Sequence, residues 1–284
     1  MTKTLIVTDS TSDIPQEVLD QYGIVAVPLQ VMFGEETYAD GVDITAGQFY
    51  EKLVKSKELP TTSQPSPASF MAAYQDLLDR HPDADIVSIH LSSGLSGTYQ
   101  SALLAQSMLD QPERVTVLDS KSASYGYGLL VVHAAELARQ GARADSIARA
   151  VEELHQHRKL YFLVDNLEYL QKGGRIGKAS AMLGTLLNIK PILSIDEEGI
   201  IYAVEKVRGH KKAMARIVEM FEQDFKGRPV HVALGHTADP SSVEPLRELL
   251  DQHFDVADVV YTNVGAVIGT HVGPGVIAVF VWPV

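Results

Sequence analysis

The run LSSGLSGTYQSA at residues 91–102 sets four hydroxyls, Ser92, Ser93, Ser96 and Thr98, around Gly94 and Gly97 where a strand-like segment gives way to a helical one. One hydroxyl is enough to cap a helix. The surplus, at a helix N-terminus with unpaired N–H groups and a partial positive charge, suits a small anion, either a phosphate or a carboxylate. On this reading the two glycines let backbone approach the ligand closely. Other loops are also rich in hydroxyls: Asp9–Asp13, Thr61-Thr62-Ser63-Gln64-Pro65 and Asp119–Ser122. Asp13, just before Ile14-Pro15, reads as a cap for the helix that follows. His271, in GTHVGPG, falls in a glycine-framed turn and is the best-placed ring for binding an anion. Arg175 and Lys178 share a glycine-rich turn, and Lys206, Arg208, Lys211 and Lys212 form a second basic cluster. In a chain of net charge −12 these cations suit an acidic partner or a phosphorylated ligand.

Several chemistries fail on spacing. Gly177-Lys178-Ala179 lacks the Ser/Thr and the preceding glycine of a phosphate-binding P-loop, and Gly94-Leu95-Ser96-Gly97 is one residue short of a nucleophile elbow. The histidines are scattered, with no metal-binding pair at helical spacing, and cysteine is absent. The net negative charge argues against nucleic acid. No apolar run approaches the roughly 18 residues of a membrane span, and no secretory signal fits the start, so a cytoplasmic protein is expected.

Positioning these residues requires alternating elements. Short β-branched runs, among them 5–8, 24–33, 86–91, 115–118, 160–164, 192–195, 200–204, 230–235, 256–262 and 276–281, alternate with amphipathic segments. The segment 67–80 shows the logic. Ser66 can cap it, Pro67 suits its first position, and Phe70, Tyr74, Leu77 and Leu78 recur on one face. The pattern predicts an α/β fold, two α/β lobes with largely parallel sheets enclosing a ligand cleft. The boundary falls in LHQHRKLYFLVD, giving lobes 1–157 and 158–284. A helix over 179–187 and the apolar stretch 182–193, with Met182, Leu186, Leu187 and Leu193, are expected to wall a pocket.

Eight segments in order, TDSTSDIP (8–15), PTTSQPS (60–66), LSSGLSGTYQSA (91–102), DSKSAS (119–124), LQKGGRIGK (170–178), LLNIKPIL (186–193), EKVRGHKKA (205–213) and THVGPG (270–275), resemble the DegV family of fatty-acid-binding proteins. The resemblance runs from the first strand to the last loop. It implies two α/β lobes around one acyl tail, with the carboxylate held by Thr62 and Ser96, then Ser93, with Thr61 and Ser63 as neighbours and His271 completing the network. It also implies a lipid carrier rather than an enzyme, with no cofactor. Its ligand would be a long-chain fatty acid of roughly C14–C18, worth about 0.8 kcal/mol per buried methylene. In fatty acid kinase a separate ATP-dependent subunit phosphorylates the bound acid to acyl phosphate, feeding phospholipid synthesis. Arg175 and Arg208 are implicated in that partnership, and lipid exchange allows transient membrane contact. The competing reading is a serine-dependent acyl hydrolase, an esterase or thioesterase using Ser96 or Ser93, for which no His–Asp pair is recognisable in the sequence.

Overall fold

A computed structural model describes residues 3–184 and 189–284. Its first half contains β1 (Thr4–Asp9), α1 (Gln16–Tyr22), β2 (Val25–Val27), β3 (Gln30–Phe33), β4 (Glu36–Ala39), α2 (Ala46–Lys55), β5 (Thr61–Ser63), α3 (Pro67–Arg80), β6 (Asp85–His90), α4 (Thr98–Ser107), β7 (Val115–Asp119), α5 (Tyr125–Arg139) and α6 (Ala144–His157). There follow β8 (Lys159–Leu163), α7 (Glu168–Lys172), β9 (Ile189–Ile195), β10 (Ile201–Arg208), α8 (His210–Phe225), β11 (Val230–His236), α9 (Glu244–His253), β12 (Val256–Asn263), α10 (Ala266–Val272) and β13 (Ile277–Pro283).

The first sheet, β2-β1-β6-β7, is parallel throughout. Its central strands bury both faces, so Ile6 and Val87 pack with α5 and α6 while Val7 and Ile86 pack with α3 and α4. Helix α3 starts as the sequence indicates: Ser66 accepts from the Ser69 N–H at 3.1 Å and Pro67 opens the helix. Phe70, Tyr74, Leu77 and Leu78 are buried, and full burial of a side chain such as Phe70 is worth about 1.5–3 kcal/mol.

The second sheet runs β10-β9-β8-β13-β11-β12, and only β11–β12 is a parallel pair. Parallel pairing thus characterises the first sheet and mixed pairing the second. Strands β9 and β10 are joined by a tight turn, in which Asp196 accepts from the Glu198 and Ile200 N–H groups, and such a connection forces antiparallel strands. Helices α8 and α9 cover one face; the other faces α5. Helix α5 is apolar nearly all round and packs between the sheets. A Cβ at Gly126 would lie 2.7 Å from Ser122 Oγ and 2.9 Å from Phe280 Cε1, and one at Gly128 would lie 2.4 Å from the Ser12 carbonyl, so both glycines allow close packing on α5.

A small antiparallel sheet, β4-β3-β5, with α2 packs its Val31, Phe33, Phe49 and Leu53 against Ala266 and Val267 of α10. The expected strand 24–33 is divided here, because Pro28 lacks an N–H and Leu29 gives its own to Ser10 Oγ at 3.1 Å. The expected helix 179–187 is a 3₁₀ segment, Gly177–Met182, and residues 185–188 lie outside the described residues. Among the described residues no helix is long and apolar enough to cross a membrane.

Candidate ligand cavity

The inner face of the second sheet and the loops above the first enclose a cavity of about 290 Å³, at the small end of ligand pockets. Strand alternation supplies its apolar wall: Leu160 and Phe162 from β8, Ala278 and Phe280 from β13, Ile195 from β9 and Ile201 from β10. Leu91, Leu95, Leu170, Val267 and Val272 add to it. The polar lining is Thr62, Ser63, Gln64, Ser96, Ser124, Arg175 and His271.

These groups converge from five segments. Strand β5 places Thr62 so that its Oγ1 meets His271 Nε2 at 2.8 Å. His271 Nδ1 is buried and has no hydrogen-bond partner among the described residues. Burial, with the Arg175 guanidinium adding to it, pushes the His271 pKa down to about 4, so the ring is neutral near neutral pH. A Cβ at Gly173 would lie 2.4 Å from that Nδ1, so the close approach of ring and backbone requires glycine there. Arg175 is held by the carbonyls of Leu95 at 3.1 Å and Gly173 at 2.7 Å, which ties the 92–98 loop to the turn after α7. Ser96 Oγ meets Thr98 Oγ1 at 2.9 Å.

The other expected site residues lie elsewhere. Thr61 and Ser93 do not line the cavity; Ser93 Oγ accepts from Lys121 Nζ at 3.3 Å and its N–H donates to Asp119 Oδ1 at 3.1 Å. Arg208 sits at the exposed end of β10, and Lys178 pairs with Asp196 at 2.6 Å and Glu198 at 2.5 Å. Arg175, expected at a docking surface, is half-buried and lines the cavity. Of the described residues in 182–193 none does: Ile192 packs under α8, and Leu186 and Leu187 lie outside the described residues.

The glycines of the 92–98 loop admit protein rather than ligand. Cβ atoms there would lie 2.9 Å from the Gly199 carbonyl at Gly94 and 2.2 Å from Gln64 Oε1 at Gly97. Gln64 was not anticipated; its Nε2 donates to Ser101 Oγ at 3.0 Å. His271 occupies the last turn of α10 rather than a loop. Asp13 caps this helix, accepting from the Gly265 N–H at 2.9 Å, instead of α1. Asp40 accepts from Ala266 N–H at 3.2 Å and from Ser10 Oγ at 2.9 Å. Burial raises the Asp13 carboxyl well above its usual range and pushes Asp40 up to about 6.

Comparison with known proteins decides the lineage. The model for "Uncharacterised protein, DegV family" matches residues 3–284. The chain belongs to the DegV family. Protein DegV of Bacillus subtilis is 41% identical over 276 residues, 96% of this chain and 97% of that one. A DegV family protein from Thermus thermophilus, whose structure is described as showing fatty acid binding, superposes with a TM-score of 0.93 at 37% identity, covering 100% of both chains. A stearic acid-binding protein from Eubacterium ventriosum gives 0.88 at 27% identity, covering 100% of this chain and 98% of its own.

This DegV family member does contain a buried Ser–His–Asp series, but it is sealed. His90 Nδ1 meets Asp9 Oδ2 at 3.0 Å and its Nε2 meets Ser88 Oγ at 2.7 Å, which in turn meets Tyr74 OH at 2.8 Å. Ser88, His90 and Asp9 are all 0% exposed, so no ester can reach the hydroxyl. Burial works to raise the Asp9 carboxyl, but His90, Thr11 and Tyr127 hold it below the usual range. Ser96 and Ser93, the nucleophiles of the competing hydrolase reading, have no hydrogen bond to a histidine among the described residues. No group of three potential metal ligands occurs among the described residues.

Proposed function

We propose that the protein holds a long-chain fatty acid in the cavity and presents it to a separate ATP-dependent kinase subunit for acyl-phosphate formation. The observation that carries this reading is one cavity with an extended apolar wall and a compact group of donors, Thr62, Ser96, His271 and Arg175. A buried carboxylate needs such donors, and a buried alkyl tail needs such a wall. Fatty acid binding by the relatives from Thermus thermophilus and Eubacterium ventriosum supports it. Thr62 and Ser96 donate to the carboxylate, Ser63 adds a hydroxyl from the same strand, and Arg175 supplies the opposing charge. Thr61 and Ser93 act as neighbours that position the two loops. Exposed Arg208 belongs to the docking face, and uptake of acid from a bilayer makes membrane contact transient.

Native mass spectrometry of the purified protein tests the binding step, with a stoichiometric C14–C18 acid as the expected adduct (roughly ten to thirteen kcal/mol gross at about 0.8 per methylene). A protein that stays empty when offered such acids refutes it. For the partnership, Arg208→Glu should retain the lipid and lose acyl-phosphate formation with a cognate kinase; unchanged turnover removes Arg208 from the docking face.

A further inference from the structure

Beside the cavity, across Leu160 and Ile195, lies a polar groove of about 1120 Å³, lined by charged residues including Asp119, Lys121, Arg158 and Asp196. Among the described residues, Leu160 and Ile195 line both spaces and no other side chain does. They stand on the adjacent strands β8 and β9, which Ser194 ties together by donating its hydroxyl to the Leu160 carbonyl at 2.8 Å. Leu160 is 6% exposed, whereas Ile195 is half-buried. The Arg158 guanidinium, two residues from Leu160, is buried; its Nη2 meets His155 Nδ1 at 2.9 Å and its Nε has no hydrogen-bond partner among the described residues.

A methylene gains free energy on entering the cavity. One that passed the partition would instead meet charged groups and displace their water without offering a hydrogen bond in return. We propose that Leu160 and Ile195 form the stop that limits how long an acyl chain the cavity accepts, and that the charged groove behind them makes the limit sharp. This rests on the fatty acid reading above. The stop consists of two side chains, each of which touches both spaces, so its position depends on their volume.

Ile195, less buried than Leu160, is the residue to vary. The protein is offered an equimolar mixture of saturated acids from dodecanoic to eicosanoic, and the bound species are read by native mass spectrometry. Ile195→Ala should move the preferred length up by about two methylenes, and Ile195→Phe should move it down by a similar amount. Ile195→Val, the mildest change, should give a smaller shift in the same direction as alanine. Tyr202→Ala, which lines only the groove, should leave the distribution unchanged. Full lipid occupancy with the same distribution in all the Ile195 variants overturns the stop and leaves fatty acid binding intact. An equal shift in Tyr202→Ala also overturns it. A wild-type protein that binds none of the acids overturns the fatty acid reading, and the stop with it.

Discussion

His271 organises the polar end of the cavity. For Thr62 Oγ1 to donate to a carboxylate it must take its own proton partner from His271 Nε2, 2.8 Å away, which leaves the buried Nδ1 as the unprotonated nitrogen. Thr62→Ala together with Ser96→Ala removes two donors to a charged group. Each loss should cost about 1.5–3 kcal/mol, roughly 10- to 100-fold in affinity, measured as a fatty acid dissociation constant. Arg175 acts on His271 through its charge. Because that charge depresses the imidazole, Arg175→Gln should raise the His271 pKa above its value of about 4, as followed by NMR titration. The depressed pKa also sets a sign. The stability His271 contributes is present above the ordinary value of 6.5 and is lost as pH falls through about 4, so Arg175→Gln narrows that window.

Helix α10 carries this histidine and is the element whose environment differs most from its sequence. Gly265, Gly269 and Gly273 interrupt the periodicity that would mark it as a helix. The reason for Gly269 is distant: a Cβ there would lie 2.6 Å from Tyr50 OH and 2.7 Å from Phe49 Cε1. Its two acidic caps also come from far away, so neither can be read from local spacing. Asp40, at about 6, binds a proton in the folded state over a range where the unfolded chain, near 3.8, has lost it. Its contribution to stability is therefore full below about 4 and lost as pH rises through about 6. Because the amide of Asp40→Asn stands in for the protonated acid and does not titrate, the wild-type melting temperature should fall relative to the variant's as pH rises toward neutrality. Gly173→Ala should displace the His271 ring and reduce lipid retention in the same mass measurement that scores the double hydroxyl variant. By contrast, α3 was fully legible, since Ser66, Pro67 and its apolar stripe are local signals. Thr62 and Ser96 were legible as a hydroxyl surplus. Ser93 could not be separated from Ser96, because the Lys121–Asp119 pair that turns it away lies on another loop.

For the whole molecule, we propose that 1–157 and 158–284 are the two units, with the β3–β5 excursion of the first packed on α10 of the second. The parallel sheet and its alternation with helices could be read from the chain because each β–α step is local. The antiparallel insertion of β13 between β8 and β11 could not, since it depends on pairing across the chain. The Asp9 network anchors the first unit. Asp9→Ala removes the acceptor shared by His90 Nδ1, Thr11 Oγ1 and Tyr127 OH, and only the two hydroxyls, 3.0 Å apart, can still pair with each other. At about 1–3 kcal/mol for each buried group left unpaired, urea denaturation should show a loss of several kcal/mol. The contacts Asp13–Gly265 and Asp40–Ala266 join residues 252 and 226 positions apart. Closing loops of that length is slow compared with forming a local βα unit. During synthesis the acids are therefore made long before the backbone amides that they bind, so the contacts that seat α10 beside the cavity close only after most of the chain has been made. Under the proposed function, bound acid would accordingly serve as a chemical receipt for a chain that has finished folding.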